Sequence, residues 1–463
     1  MTRRLPYGAV LASVSRMTTF RPTLSAFQAF VLSLAIIAPT LAMAFNVPLA
    51  AQAAGQAAPL AFLVGGAAMA LIGLSFVAFS RRIASAGSAA AYVSAVLGDR
   101  LGFLAGWGLL LAYLAFLASA TALVGGFLSV ALAHLGLDHP RLWLVLAFLG
   151  GLGVIGLGGR EIRLATTVLL VIEALAVLAI VALAVVILAQ VPLDTAPLRP
   201  DPERGLSGLG YGMVFAVLSL AGFEGAATVA EETRDPHRAI PVAILGSLAV
   251  ATLLYGLVSY AQVLGYGLDR TAELARDPAP LDTLAIRYVS RGYGIFLDVA
   301  AGISSLACAL GTAAAAARVL YALGSRGIGT TFARLDPAHG VPARALRFVG
   351  GLTLAVLVGF GAWTSPRAFS EAFATVATLA LILVYMGVGL AQAVFAARTK
   401  AWGWCVIGLS GSLMLAWPLF NSLYPLPGWP GPLWPLVVLA WMAMGVALLR
   451  FHPALARKSL RRP

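Results

Sequence analysis

Charge is what this chain has least of: 11% of its 463 residues are Asp, Glu, Lys or Arg, against 60% hydrophobic. A soluble domain of this length could not cover its surface with so few polar groups. The mean hydropathy of +0.93 therefore excludes a soluble fold, and the apolar runs leave no room for a separate globular domain. Lysine is nearly missing, with Lys400 and Lys458 the two present. The net charge of +13 rests on arginine, so a lysine-rich tail is absent and nucleic acid is not an expected partner. The two cysteines, Cys308 and Cys405, lie in apolar runs, which points to packing rather than a disulfide or metal cluster. Five histidines (His134, His139, His237, His339, His452) fall in expected loops or the tail. They lack metal-ligand spacing and read as solvated, so neither a metal nor a cofactor is expected.

What is abundant is apolar sequence in runs long enough to cross a bilayer, about 20 residues each. Twelve such stretches are predicted, at 24–54, 59–79, 101–132, 142–158, 164–189, 207–232, 240–264, 293–322, 346–362, 369–396, 404–421 and 432–449. The class is a polytopic α-helical protein whose immediate partner is the lipid bilayer. No cleavable leader is expected, because residues 5–14 are short and broken by Pro6 and Gly8. Met17 is an alternative start. Alternate loops carry 23 and 8 of the 31 Lys and Arg residues, with Arg81, Arg82, Arg160, Arg163, Arg334 and Arg344 on the richer side. That asymmetry predicts both termini on the cytoplasmic side of the cell membrane.

Two of the runs are interrupted. In the sixth, Gly222, Phe223, Glu224 and Gly225 fall near the expected midplane. A carboxylate there costs about 2.5–3.5 kcal/mol on insertion scales, and the flanking glycines weaken the helix where backbone could turn to a ligand. In the first, Pro39 removes a backbone donor and Thr40 can bond freed backbone groups. These spans are five apart and so cross in opposite directions. Paired interruptions in oppositely directed helices point to the substrate site of a secondary transporter.

The residues that follow sharpen this. AGFEGAATVAEETRDPHRAIP, from Ala221 to Pro241, resembles the sixth-helix signature of the amino acid–polyamine–organocation permeases. SRRIASAGSAAAYVSAVLGDRLGFLAGW resembles that family's entry into helix three. GGREIRLATTVLLVIEALAVL resembles its fifth helix and RVLYALGSRGIGTTFARLDPAHGVPARAL its loop after helix eight. The resemblance covers about residues 24–450 and implies the leucine-transporter type of fold. That fold would comprise a cytoplasmic segment 1–23, a first five-helix repeat 24–200, an inverted second repeat 201–400, two further helices in 401–450 and a basic cytoplasmic tail 451–463. Two places depart from the family pattern. Ala38-Pro39-Thr40 stands where a Gly-Ser-Gly-like break is familiar, and Ser325-Arg326-Gly327 replaces Arg-Asp-Gly. Both bear on which substrate is carried.

The resemblance implies alternating access by an amino acid or related amine carrier. The restarted half of helix one, from Leu41 and Ala42, would offer backbone N–H groups to a carboxylate. Carbonyls near Ile37, Ala38 and Pro39, and from Ser219 through Ala221 to Gly222, would take the ammonium. Phe223 resembles the family's aromatic lid. Glu224 would orient the unwound backbone, contact a cationic substrate or take up protons, with a structural and gating role favoured. Thr40, Tyr113, Cys308, Thr375 and Thr378 complete the candidate substrate residues. Glu173 falls where some of these permeases carry an embedded Lys, beside Ala301, Ser304 and Ser305, whose spacing resembles the sodium ligands of the wider superfamily. A proton is favoured over sodium as the coupling ion.

Other readings remain on the same residues: a polyamine, organocation or ion carrier, an amino-acid exchanger, a sensor or a channel. No nucleophile–base constellation suggests an enzyme. Gly151-x-Gly153-x-x-Gly156 lacks a preceding strand and reads as helix packing, as does Gly102-x-x-x-Gly106. Asp298 and Glu371 read as rim residues near the outer ends of their helices.

Overall fold

In hydrocarbon every backbone polar group must be satisfied within the chain, so long apolar runs become helices. The computed structural model describes residues 25–81, 88–158, 163–224, 233–336, 341–424 and 429–457. The first predicted span appears in pieces. Helix α1 (Ala26–Ile37) is followed by α2 (Pro39–Leu41), a π-helical turn (Ala42–Asn46) and α3 (Val47–Ala54). A 3-10 turn, Gly55–Ala57, then leads into α4 (Ala58–Ser80). Gly55 has φ 59°, a left-handed conformation that glycine adopts without steric cost.

The chain continues through α5 (Ser88–Leu97), α6 (Asp99–Ala133), α7 (Leu142–Gly158), α8 (Arg163–Leu188) and α9 (Gly205–Leu220). Next come α10 (Pro236–Tyr266) and two short connecting helices, α11 (Thr271–Arg276) and α12 (Pro280–Tyr288). The remainder comprises α13 (Arg291–Arg326), α14 (Ala343–Gly361), α15 (Pro366–Arg398), α16 (Trp402–Asn421), α17 (Leu433–Phe451) and α18 (Ala454–Arg457). Among the described residues, nine helical runs are long and apolar enough to cross a membrane, and α7 and α9 are shorter apolar helices. The protein is thus a polytopic, mostly α-helical membrane protein. The difference from twelve has a local cause. The broken first span merges with the second into one run, Pro39–Ser80, and the predicted spans 142–158 and 207–232 fall on the two short helices. Residues 225–232, and the segment 1–23, lie outside the described residues.

Helices α6 and α15 form the inner pair, with 72% of their most apolar windows buried against 11% for α17. On α17, Leu436 and Leu439 stay exposed, as expected of a surface that faces lipid rather than water. Small residues allow the inner helices to touch. A Cβ on Gly125 of α6 would lie 1.9 Å from the Trp143 carbonyl oxygen of α7, so only glycine fits that approach. Gly389 and Gly408 bring α15 and α16 together in the same way. Gly102 meets Ser94 of α5, as the packing reading requires. In the Gly151–Gly156 run Gly151 meets Leu354, whereas Gly153 and Gly156 have open space. Trp107 and Trp441 lock α6 to α17 reciprocally. Each indole N–H donates to the other's carbonyl at 2.9 Å, and the rings stack at 4.6 Å.

Candidate functional site

The first interruption is one residue wide. Ala38 has φ 50° and ψ 67°, a left-handed conformation that costs an L-residue about 1–2 kcal/mol. Pro39 follows at the first helical position, where its missing N–H is no loss and its fixed φ suits the restart. The restart expected at Leu41 and Ala42 therefore comes earlier, at Pro39, and only Ala38 leaves the helix. The Ala42 N–H already donates to the Ala38 carbonyl at 3.1 Å. The amides freed by the break are those of Thr40 and Leu41. Thr40 N–H donates to Glu173 Oε1 at 2.8 Å, and Leu41 N–H donates to Ser304 Oγ at 3.3 Å. The amides of Leu41 and Ala42, assigned by sequence to a carboxylate, thus have protein partners here. The π-turn that follows leaves the Met43 carbonyl to accept from Gln262 Nε2 at 2.9 Å, and such turns recur at functional sites.

The second interruption is wider. Helix α9 ends at Leu220, Ala221 is extended (φ −62°, ψ 144°) and Gly222 has φ 103°. Glu224, 3% exposed, holds this turn. Its Oε2 accepts the Gly222 N–H at 3.0 Å and the Tyr385 hydroxyl at 2.9 Å. Its Oε1 accepts the Tyr113 hydroxyl at 3.2 Å. A buried carboxylate is tolerated only when its lone pairs are taken up in this way. Gly225 lies outside the described residues. The two interruptions are tied to each other: Ser33 of α1 donates to the Phe223 carbonyl at 2.9 Å, and Asn46 Nδ2 donates to Ser219 Oγ at 2.8 Å.

Between them lies a narrow cleft. Of the predicted residues, Ile37, Ala38, Leu41, Ala42 and Ser219 line it. Phe223 does not. Its ring is fully buried against Phe76 at 5.1 Å and Tyr385 at 5.6 Å, and Phe45 and Phe116 are the aromatics facing the cleft. Tyr113 is engaged by Glu224. Thr375 and Thr378 donate back to their own helix, to the carbonyls of Glu371 and Ala374 at 2.8 Å each, and Cys308 sits 3.9 Å from Thr312. The sequence reading missed Phe45, Asn46, Phe116, Ser119, Leu123 and Leu218. Phe116 lies about one turn beyond Tyr113, so helical spacing carried a signal for it. Asn46, one of two asparagines in the chain, stood out within an apolar run.

Glu173 is partly buried on α8, with the Thr40 and Ser304 side chains beside its carboxylate. Ser305 Oγ donates to the Ala301 carbonyl at 2.7 Å. The predicted ion-coupling residues are therefore gathered at the first interruption, but two of them bond each other. Tyr255 of α10 is fully buried within electrostatic reach of Glu173 and Cys308, and its hydroxyl has no hydrogen-bond partner among the described residues.

Comparison with known proteins gives a consistent answer. Residues 28–420 match the family model described as "Amino acid permease". The chain is 25% identical over 324 residues to the branched-chain amino acid permease BcaP of Lactococcus lactis subsp. cremoris, covering 64% of this chain and 68% of the relative. It is 27% identical over 376 residues to a methylthioribose transporter of Bacillus subtilis, covering 76% and 77%. A glutamate/serine transporter of the same species, AimA, is 24% identical over 337 residues, covering 68% and 61%.

Proposed function

Since the chain belongs to the amino acid permease family and is a secondary transporter of a small polar or charged solute rather than an enzyme, we propose that it carries a neutral amino acid with an apolar side chain. The carrying observation is the cleft between two mutually bonded helix interruptions. Its walls are Ile37, Leu41, Phe45 and Phe116 with Asn46 and Ser119, and no ionisable side chain among the described residues lines it. A polyamine would leave its ammonium groups without a counter-charge there, which disfavours that alternative. The last carbonyls of a helix, as at the ends of α1 and α9, suit an ammonium, and helix starts suit a carboxylate. The amides of Thr40 and Leu41 would serve the latter once Glu173 and Ser304 release them. Relatives that carry branched-chain amino acids, methylthioribose and glutamate or serine do not by themselves decide among substrates. Uptake of a panel of radiolabelled amino acids and amines into proteoliposomes is expected to select leucine-like substrates. Preferential uptake of polyamines would refute this reading.

The coupling ion in this reading is a proton carried by Glu173. Support comes from the carboxylate itself, an ionisable group costly to keep in a membrane helix, whose Oε1 accepts the Thr40 N–H at the first interruption. The architecture in this reading has twelve spans in two inverted five-helix repeats plus two helices, with both termini cytoplasmic. Single cysteines placed after Arg81 and after Pro200, in a background without Cys308 and Cys405, are expected to label from opposite faces with an impermeant reagent. Labelling of both from outside would refute the topology.

A further inference from the structure

His134, Asp282 and Asp298 come from three elements that the sequence keeps far apart. His134 caps the end of α6, Asp282 lies on α12 and Asp298 lies two turns into α13. Sequence spacing placed the histidine in solvent and Asp298 at a rim, yet Asp298 is 3% and Asp282 6% exposed. One ligand atom from each of the three lies within 4.8 Å of the others. His134 Nε2 and Asp282 Oδ2 are 3.0 Å apart, near the roughly 3.3 Å edge of a tetrahedron with zinc-like bonds of about 2.0 Å.

Two buried carboxylate oxygens point to something more than a histidine–aspartate pair. Asp282 Oδ1 and Asp298 Oδ2 have no hydrogen-bond partner among the described residues. Buried carboxylates left so are costly unless a cation or a proton compensates them. Gly294, at the start of α13, makes room for this arrangement, since a Cβ there would lie 2.0 Å from Asp282 Oδ1. The charges around the cluster favour a cation. Asp277 adds a third carboxylate within electrostatic range, and Arg291, which donates to the His134 carbonyl, is the opposing charge.

We propose that His134, Asp282 and Asp298 form a binding site for a divalent transition cation of the zinc type, pinning the segment between α10 and α13 to the end of α6. The donor set decides the class. An imidazole with two carboxylates suits Zn²⁺ and its first-row neighbours, whereas Mg²⁺ and Ca²⁺ take oxygen ligands. Three protein ligands leave a fourth position for water. The pinned segment is otherwise held by side chains: Tyr266 and Thr283 both donate to Asp277 at 2.6 Å, and Arg367 of α15 donates to the carbonyls of Ala275 and Asp277. A metal would reinforce the link to α6 that His134 already makes with Asp282 and Arg291.

The test uses the full chain in detergent, stripped with chelator, equilibrated with ZnCl₂ and desalted. About one zinc per chain by elemental analysis is expected for wild type, with a thermal midpoint several degrees above the stripped protein. Asp298→Asn and His134→Gln keep shape while removing a ligand, and each is expected to lose both the zinc and the shift. Co²⁺ in place of Zn²⁺ is expected to give visible d–d bands in wild type that both variants lack. Zinc retention by wild type no greater than by Asp298→Asn would overturn the proposal. So would unchanged zinc binding in both variants, or a wild type indifferent to zinc whose cluster variants are merely less stable, which would indicate a shared proton instead.

Discussion

Replacing Glu173 by Gln is expected to abolish substrate accumulation driven by a pH gradient while leaving substrate exchange largely intact. Gln keeps a carbonyl oxygen where Glu173 Oε1 accepts the Thr40 N–H at 2.8 Å, so the restart of the first helix retains its partner. What Gln removes is the ionisable group. If that group carries the coupling proton, driven accumulation should fall at least tenfold, to the level set by exchange alone. A purely structural Glu173 would behave otherwise, because its hydrogen bond survives the change and both activities would persist. The decisive measurement is uptake into proteoliposomes under an imposed pH difference, with counterflow as the control. A variant that still concentrates substrate would end the proton assignment. Sodium-dependent uptake by wild type, weakened by Ser304→Ala with Ser305→Ala, would transfer coupling to the α13 hydroxyls.

The Glu224→Leu variant should lose both transport and a large part of its stability. Leucine leaves three buried donors without an acceptor: the Gly222 N–H and the hydroxyls of Tyr385 and Tyr113. Each such loss costs about 1–3 kcal/mol, so the sum is comparable to the whole stability margin of many proteins, about 5–15 kcal/mol. Glu224→Gln is expected to be far milder. Its carbonyl can occupy the Oε2 position and keep two bonds, while its amide donates to the Tyr113 oxygen. Tyr385→Phe removes one bond and should cost about 1 kcal/mol. Thermal unfolding in detergent with parallel uptake assays checks the series. Equal stability of the Leu and Gln variants would show that Glu224 does not hold the turn.

Much of this site could be read along the chain. Pro39 and Gly222 marked the two interruptions because proline and glycine alter a helix through their own backbone chemistry. The run from Ala221 to Pro241 carried the family resemblance that the comparisons bear out. The extent of each break was less legible. The first narrowed to Ala38, since Pro39 is well formed to start a helix. Phe223 was assigned to the cleft, but the aromatic cluster with Phe76 and Tyr385 holds its ring elsewhere.

By itself the sequence determined the membrane class, the helical runs, the two interruptions and the family, because hydropathy and backbone restriction are properties of neighbouring residues. Tertiary structure decided which groups complete one another. Thr40 meets Glu173 across 133 positions, Ser33 meets Phe223 across 190, and His134 meets Asp282 across 148. Those pairings depend on how helices pack sideways. In this chain the packing is set by close approaches at glycines such as Gly125 and Gly294, whose neighbours in space no local pattern names. The buried carboxylates follow the same logic: their cost is written in the sequence, and the donors that offset it are supplied by helices folded from other parts of the chain.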